Sequence, residues 1–180
     1  MRPRPPYPPG VYLKPGELHI AKRPALIETV LGSCVAVLFY CPSRRCGALC
    51  HAMLPSGHGA DNGDDHKYVD AAINYMVQIM RQNGMVENSV VAKLFGGSDM
   101  FDAARDSGPA RFAVGAENIK MARAVLQQHR IIIKNSDVGG CYGRKLLYFS
   151  ETGQVFVKML NRKAVDEDLI LLQTGINNNG

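Results

Sequence analysis

The stretch "CVAVLFYCPSRRCGALCHAML", residues 34–54, decides the fold because two apolar runs flank a compact turn signal. The first run, "VAVLFY", is rich in β-branched and aromatic residues, and the second, "GALCHAML", is apolar apart from one histidine. Pro42 and Ser43 mark a turn between them. The pattern predicts a β-hairpin. Cys34 and His51 then lie together at its open end, because both are far from the turn.

Further β-like runs and two helical patterns lie on both sides of this hairpin. Apolar residues recur three and four residues apart from about Lys67 to Asn83 and again from about Ala116 to His129, which predicts two helices. About eight strands in hairpin-like clusters with two helices predict an α+β domain. Its sheets should be mostly antiparallel or mixed and form a sandwich-like core, with the helices packed outside. The additional runs are ELHIAK, PALIETVL, SVVAKLF, RIIIKNSD, KLLYFS and QVFVKML.

The length of 180 residues favours a single domain, which we place at residues 17–170. The first ten residues contain five prolines, so residues 1–16 are predicted to form an extended, mobile arm. Residues 171–180, after the last apolar run, are predicted to be a frayed tail.

The charge and hydropathy patterns narrow the location and the partners. The net charge is +5, but the lysines and arginines are scattered and form no dense tract with aromatic residues, so a nucleic-acid partner is not expected. No apolar segment follows the N-terminal arginines as in a signal peptide, and no apolar run is long enough to span a bilayer. We therefore expect a cytoplasmic protein without membrane insertion.

Five cysteines are present, and an odd number in a reducing location argues against a disulfide framework. Three of them and a histidine have the spacing C-x4-C-x3-C-H, which lacks the C-x2-C pair of common zinc sites. In addition, the adjacent Cys50 and His51 would point to opposite faces of a strand. No metal site is therefore predicted, and we interpret the four cysteines other than Cys34 as small buried residues: Cys41, Cys46, Cys50 and Cys141.

Cys34 and His51 are the candidates for chemistry. A reactive thiol needs a nearby base and backbone N–H groups that can hold an oxyanion, and the turn at Gly32 and Ser33 could supply those groups. The hairpin brings the histidine to the cysteine, as a Cys–His dyad requires. The residues alone also allow a structural interpretation, in which Cys34 is a small buried residue and His51 a hydrogen-bonded core residue.

Six segments resemble the chemoreceptor glutamine deamidase family, CheD, over roughly residues 17–160. They are LGSCVAV, HAMLP, KYVDAAI, AKLFGGSDMF, VGAENI and DVGGCYGRKLLYFSETGQVFVK. The resemblance implies that Cys34 is the nucleophile and His51 the general base in hydrolysis of glutamine side-chain amides, through a thioester and without a metal or cofactor. It implies the helical cytoplasmic bundle of chemoreceptors as the substrate and, in some bacteria, a CheC-type phosphatase as a partner. We expect a monomer.

Two departures from the family pattern bear on activity. The family usually has a threonine six residues before the cysteine, where this chain has Glu28, with Thr29 one step along. Because one step on a strand reverses the face, we favour Glu28 as the partner of the histidine, while Thr29 stays an alternative. Glu117 stands where the family tends to have arginine. These departures keep open a binding module on receptors or a phosphatase with little or no catalysis. The same dyad would also serve a cysteine peptidase or a transglutaminase-like enzyme.

Overall fold

The computed structural model describes residues 8–57, 65–85, 89–99 and 114–161, together with residues 164, 165 and 167. The described part contains nine strands and two helices. In chain order they are β1 Gly10–Tyr12, β2 Leu18–Ala21, β3 Leu26–Leu31, β4 Val35–Cys41, β5 Cys46–Ala52, α1 Val69–Gln82, β6 Val91–Gly96, α2 Val114–Gln128, β7 Ile133–Val138, β8 Gly143–Phe149 and β9 Gln154–Leu160.

The strands form two mixed sheets, and the predicted α+β fold is confirmed. One sheet has the order β1-β3-β8-β9 and the other has the order β2-β5-β4-β6-β7. The predicted hairpin is confirmed: β4 and β5 are antiparallel, with Cys41 opposite Cys46 at the turn and Val35 opposite Ala52 at the open end.

Strand β4 lies at the centre of the molecule and is buried on both faces, which explains why its sequence is apolar throughout. Its alternate residues Ala36 and Leu38 face the core between the two sheets. Val35, Val37 and Phe39 face the core under the helices. The five-stranded sheet therefore has the four-stranded sheet on one face and both helices on the other, and a strand covered in this way has no polar side.

The helices agree with the sequence prediction within two residues at each end. Gly84 follows α1 with a positive φ of 68°, and the N–H of Met85 donates to the carbonyl of Met80 at 3.1 Å, so a glycine caps the end of this helix. Neither helix of the described residues has the length and apolar content that crossing a membrane would need.

The N-terminal segment differs from the prediction of a mobile arm over residues 1–16. Gly10–Tyr12 form β1, which pairs in parallel with the start of β3, and Leu13 is buried. The prolines before Gly10 do not prevent this, because they precede the strand and none of its own N–H groups is lost. Residues 1–7 and the predicted tail, residues 171–180, lie outside the described residues.

Candidate active site

Cys34 ends a sharp turn, residues 32–34, between β3 and β4, and the glycine-rich end of β6 holds this turn. The N–H of Gly97 donates to the Cys34 carbonyl at 2.8 Å, and the N–H and hydroxyl of Ser98 donate to the Gly32 carbonyl at 2.9 and 2.8 Å. Gly96 has a φ of +97°, and any side chain there would collide with the Cys34 carbonyl oxygen. The Gly-Gly pair therefore fixes the backbone of the candidate nucleophile.

His51 lies on β5 with its ring oriented by Thr29 of β3. The Thr29 hydroxyl is 2.7 Å from Nδ1 of His51 and donates its single hydrogen to the carbonyl of Leu13 at 2.8 Å. Because that hydrogen is already used, the hydroxyl accepts from the ring, and Nδ1 carries the ring proton. His51 is therefore the tautomer whose Nε2 has a free lone pair.

Nε2 of His51 is the atom available for chemistry. It is buried and has no hydrogen-bond partner among the described residues, so the Cys34 thiol is not hydrogen-bonded to it in the resting geometry. His51 is directly opposite Ala36, and Cys34 is two residues before Ala36. Cys34 packs against the core between the two sheets together with Ala36, and the ring of His51 faces Thr29 on that same side. The structure therefore places the two predicted residues on the same side of the sheet, at the open end of the hairpin.

Burial makes both groups neutral at rest. It raises the pKa of the Cys34 thiol to about 11, although the Cys34 N–H beside the sulfur acts in the opposite direction. Burial also lowers the pKa of His51 to about 4, although the nearby Leu13 backbone acts in the opposite direction. Near pH 7 the pair is therefore a thiol and a neutral imidazole rather than a preformed ion pair.

Glu28 does not contact His51, so the hypothesis that favoured it is wrong. Its carboxylate is one third exposed and pairs with Lys145 at 2.7 Å on the far face of the sheet from His51. Side chains do alternate between the two faces within β3, where Glu28 and Thr29 point to opposite sides. The faces of residues in β3 cannot be found by counting back from Cys34, because the turn between β3 and β4 is not a strand and does not preserve the alternation.

Asn118 is a site residue that the sequence analysis missed. It is fully buried on α2, and its side-chain NH₂ donates to the carbonyls of Ser33 at 3.0 Å and Met53 at 2.9 Å. One amide thus joins the turn before Cys34 to the end of the strand that carries His51. The signal was available, because this asparagine belongs to the segment VGAENI that carries part of the family resemblance.

Glu117, the second departure from the family pattern, is exposed on the first turn of α2. Its carboxylate is 3.8 Å from the ammonium of Lys120, and the side chains of both residues are more than half exposed. A long cation at this position would also reach solvent, so the change at Glu117 leaves the buried geometry around Cys34 and His51 as it is.

The cysteines of the rejected metal pattern are separated by the hairpin. Cys41 and Cys46 lie at its turn, at the other end from Cys34. Cys50 belongs to the core under the helices, whereas the adjacent His51 faces Thr29 on the other sheet. Within the part of the chain that the structure describes, no three His, Cys, Asp or Glu side chains are arranged to hold a metal ion.

Comparison with known proteins gives the family. The protein-family model described as "CheD chemotactic sensory transduction" matches residues 53–159, which is more than half of the chain. The chain belongs to the CheD family. It is 42% identical over 158 residues to the probable chemoreceptor glutamine deamidase CheD 2 of Geobacter sulfurreducens, covering 88% of this chain and 94% of that protein. It is 43% identical over 155 residues to the probable chemoreceptor glutamine deamidase CheD of Nitratidesulfovibrio vulgaris, covering 84% and 78% of the two chains.

Proposed function

We propose that this CheD-family protein hydrolyses the side-chain amides of glutamines on chemoreceptors, giving glutamate and ammonia. Its relatives carry the name of that activity. The observation that carries the proposal is the hydrogen bond from His51 to Thr29, which leaves the buried Nε2 free on the side of the Cys34 turn. A histidine held in this tautomer is suited to remove a proton from a thiol.

The first half of the reaction forms a thioester. Nε2 of His51 takes the Cys34 proton as the sulfur attacks the amide carbon of the glutamine side chain, and the carbonyl oxygen becomes an oxyanion. Because the resting thiol has a raised pKa, proton removal and attack proceed together rather than from a preformed thiolate. His51 then gives the proton to the leaving nitrogen, and ammonia departs.

The second half restores the enzyme. Nε2 of His51 takes a proton from water, the resulting hydroxide attacks the thioester carbon, and the bond to sulfur breaks. His51 returns the proton to the departing sulfur, so the products are glutamate and the free Cys34 thiol. The backbone N–H of Cys34 lies beside its own sulfur, which is where a donor to both oxyanions is needed. The turn is held from behind through the Gly32 and Cys34 carbonyls, so this N–H need not move during the reaction.

The experiment that tests the proposal measures receptor glutamines by mass spectrometry after incubation with the purified protein. We expect conversion to glutamate with the native chain and none with Cys34→Ala or His51→Ala. Cys50→Ala is a matched control, because Cys50 is a buried cysteine adjacent to His51 that faces the helices rather than the candidate site. Conversion by Cys34→Ala at the native rate would refute the assignment.

The alternative functions lose their particular support. A binding module with little catalysis was favoured by Glu28 and Glu117, yet Glu28 pairs with Lys145 and Glu117 is exposed. A peptidase or transglutaminase-like reaction would show as peptide cleavage or amine incorporation beside ammonia release. Association with a CheC-type phosphatase and the monomeric state stay predictions.

A further inference from the structure

Cys41 and Cys46 form a second pair of thiols, at the opposite end of the β4–β5 hairpin from Cys34. They are directly opposite each other in the antiparallel register. Opposite residues in such a pair have Cα atoms about 4.5 to 5.5 Å apart. A disulfide requires a Cα separation of about 4.4 to 6.8 Å, so the backbone already has the spacing for a bond between these two residues.

The turn of the hairpin surrounds the Cys41 sulfur with hydrogen-bond donors. Burial acts to raise the pKa of this thiol, but the hydroxyl of Ser43, 3.4 Å away, and the N–H of Arg44 donate to the sulfur. The Ser89 side chain and the Arg44 charge add to this effect, and the net result is a lowered pKa. Cys41 is therefore the thiol of the pair that ionises first and reacts first.

Cys46 has the complementary character. Burial raises the pKa of its thiol, and the charge of Cys41 and a hydrogen bond with Cys41 raise it further. Both side chains pack against the core under the helices, so the two sulfurs lie on the same face of the hairpin. A thiol beside a more acidic partner is placed to attack that partner once it is oxidised.

Small molecules can reach both thiols through an open apolar pocket between the hairpin turn and α1. Cys41 and Cys46 both line this pocket, with Met76, Met80 and Met85 on the opposite wall. Cys41 itself has little exposed surface, so the pocket is its route to a reagent the size of a peroxide.

We propose that Cys41 and Cys46 are a peroxide-responsive dithiol site, separate from the catalytic pair, that closes to a disulfide. The Cys41 thiolate attacks one oxygen of a hydroperoxide, the O–O bond breaks, and Cys41 becomes a sulfenic acid while hydroxide takes up a proton. The Cys46 sulfur then attacks the Cys41 sulfur, and the sulfenic oxygen leaves as water. Two electrons pass from the two thiols to the peroxide.

The test uses the full chain and hydrogen peroxide in small excess, with intact and peptide mass spectrometry. We expect loss of two hydrogens and a link between Cys41 and Cys46. In Cys46→Ser the link is absent, and a sulfenic acid trapped by dimedone stays at Cys41. Cys50→Ser is the matched control and still forms the link. Oxidation of Cys34 or Cys141 while Cys41 and Cys46 stay reduced would overturn the proposal.

A second comparison tests the activation of Cys41 without removing a cysteine. Ser43→Ala deletes one donor to the sulfur, so the rate of Cys41 oxidation should fall severalfold. Arg45→Gln is the control in the same turn, because Arg45 pairs with Glu151 at 2.8 Å and does not act on Cys41. Equal oxidation rates in native protein and Ser43→Ala would contradict the assignment of Cys41 as the activated thiol. Neither outcome depends on the proposed deamidase activity.

Discussion

At the scale of single residues, the orientation of His51 depends on one hydroxyl that both accepts and donates. Thr29 accepts from the ring and donates to the Leu13 carbonyl. It therefore acts as a positioning residue, since it reaches the reaction only through the histidine. The threonine methyl adds shape but no hydrogen bond, so serine keeps the function and valine removes it.

Thr29→Val is expected to lower kcat about tenfold or more, which corresponds to about 1.4 kcal/mol of barrier for each decade. The ring then loses the acceptor that fixes its tautomer, while KM should change little because Thr29 does not reach the substrate. Thr29→Ser should restore most of the rate. Ammonia release measures kcat for the native protein, Thr29→Val and Thr29→Ser.

Glu28→Gln is the control for the neighbouring position and should be close to native in turnover. It alters only a partly exposed ion pair with Lys145, and such pairs contribute about 1 kcal/mol or less. If Glu28→Gln slowed turnover as much as Thr29→Val, the assignment of the histidine partner would be wrong.

The buried His51 also predicts how stability depends on pH. Its pKa is about 4 in the folded protein and 6.5 in an unfolded chain, so between these values only the unfolded state binds the proton. The free energy of unfolding should therefore fall as the pH decreases from 6.5 to about 4. The contribution is about 1.4 kcal/mol per pH unit, or roughly 3 kcal/mol in all.

His51→Gln removes this titration, and urea unfolding between pH 7 and pH 4 measures it. The free energy of unfolding should fall less steeply with decreasing pH in the variant. The difference in slope should correspond to one bound proton, about 1.4 kcal/mol per pH unit. Identical slopes for the two proteins would mean that His51 is not held neutral in the folded state.

The sequence was sufficient to predict that Cys34 and His51 share the open end of one hairpin, but it did not identify the residues that hold them. A hairpin with its turn at Pro42 necessarily brings its two open ends together, so the spacing alone predicted their proximity. The role of Thr29 depends on the angle of a three-residue turn, and face alternation does not pass through such a turn. The Leu13 carbonyl is a main-chain group, so no side-chain pattern could indicate it.

At the scale of elements, the buried amide of Asn118 joins α2 to the candidate active site. Asn118 donates to the backbone on both sides of the candidate dyad, through Ser33 and Met53. The helix therefore controls the separation of the Cys34 turn from the end of β5. Because the contact is at the first turns of α2, a shift of this helix would move both residues.

Asn118→Ala should lose about 1 to 3 kcal/mol of stability, since two partly buried carbonyls lose the donor that joins them. It should also lower kcat beyond what the stability loss explains, because the spacing of Cys34 and His51 is no longer fixed. Thermal denaturation measures the loss of stability. Turnover measured well below the unfolding temperature then gives the loss of kcat separately.

Glu117→Arg is the matched control, one position away on the exposed side of the same turn. It introduces the residue that the family tends to have, and both activity and stability should be close to native. Native turnover in Asn118→Ala would show that α2 does not position the site.

Most elements could be predicted because their hydrophobic periodicity is strong. The apolar spacing of α1 and the unbroken apolar run of β4 each have one clear interpretation. Strand β1 has three residues and pairs with only one neighbour, so its existence depends on a partner more than on its own composition. The prolines before it made an arm the better interpretation from sequence alone.

At the scale of the whole molecule, the N-terminal segment joins the two sheets at the candidate active site. Its Gly16 N–H donates to the His51 carbonyl at 2.8 Å, and the His51 N–H donates to the Glu17 carbonyl at 2.9 Å. The Leu13 carbonyl accepts from Thr29 on the other sheet. The segment that the sequence placed in an arm is therefore part of the support of the candidate base.

Deletion of residues 1–13 should abolish most activity and lower the melting temperature, because β1 and the Leu13 acceptor are lost together. The control is deletion of residues 1–7, which keeps both and should be close to native. Circular dichroism and ammonia release measure the two properties. Full activity without residues 1–13 would contradict the structural role of this segment.

The sequence pattern could not predict which strands pair with each other in the two sheets. β8 and β9 come from the end of the described chain, yet they pair beside β3, and β6 pairs in parallel with β7. Alternation of apolar residues indicates which residues are buried but does not select a distant partner strand. The sequence therefore indicated the fold class, while the strand order required the structure.

The central claim is that Cys34 is a nucleophile activated by His51, and receptor glutamine mass spectrometry tests it most directly. The panel comprises the native chain, the two single variants Cys34→Ala and His51→Ala, and the double variant, with Cys50→Ala as control. We predict conversion of specific glutamines to glutamate by the native and control proteins only, and a double variant no worse than either single one, since both residues serve one step. Conversion that persists in Cys34→Ala, or that is absent with the native chain, would contradict the account.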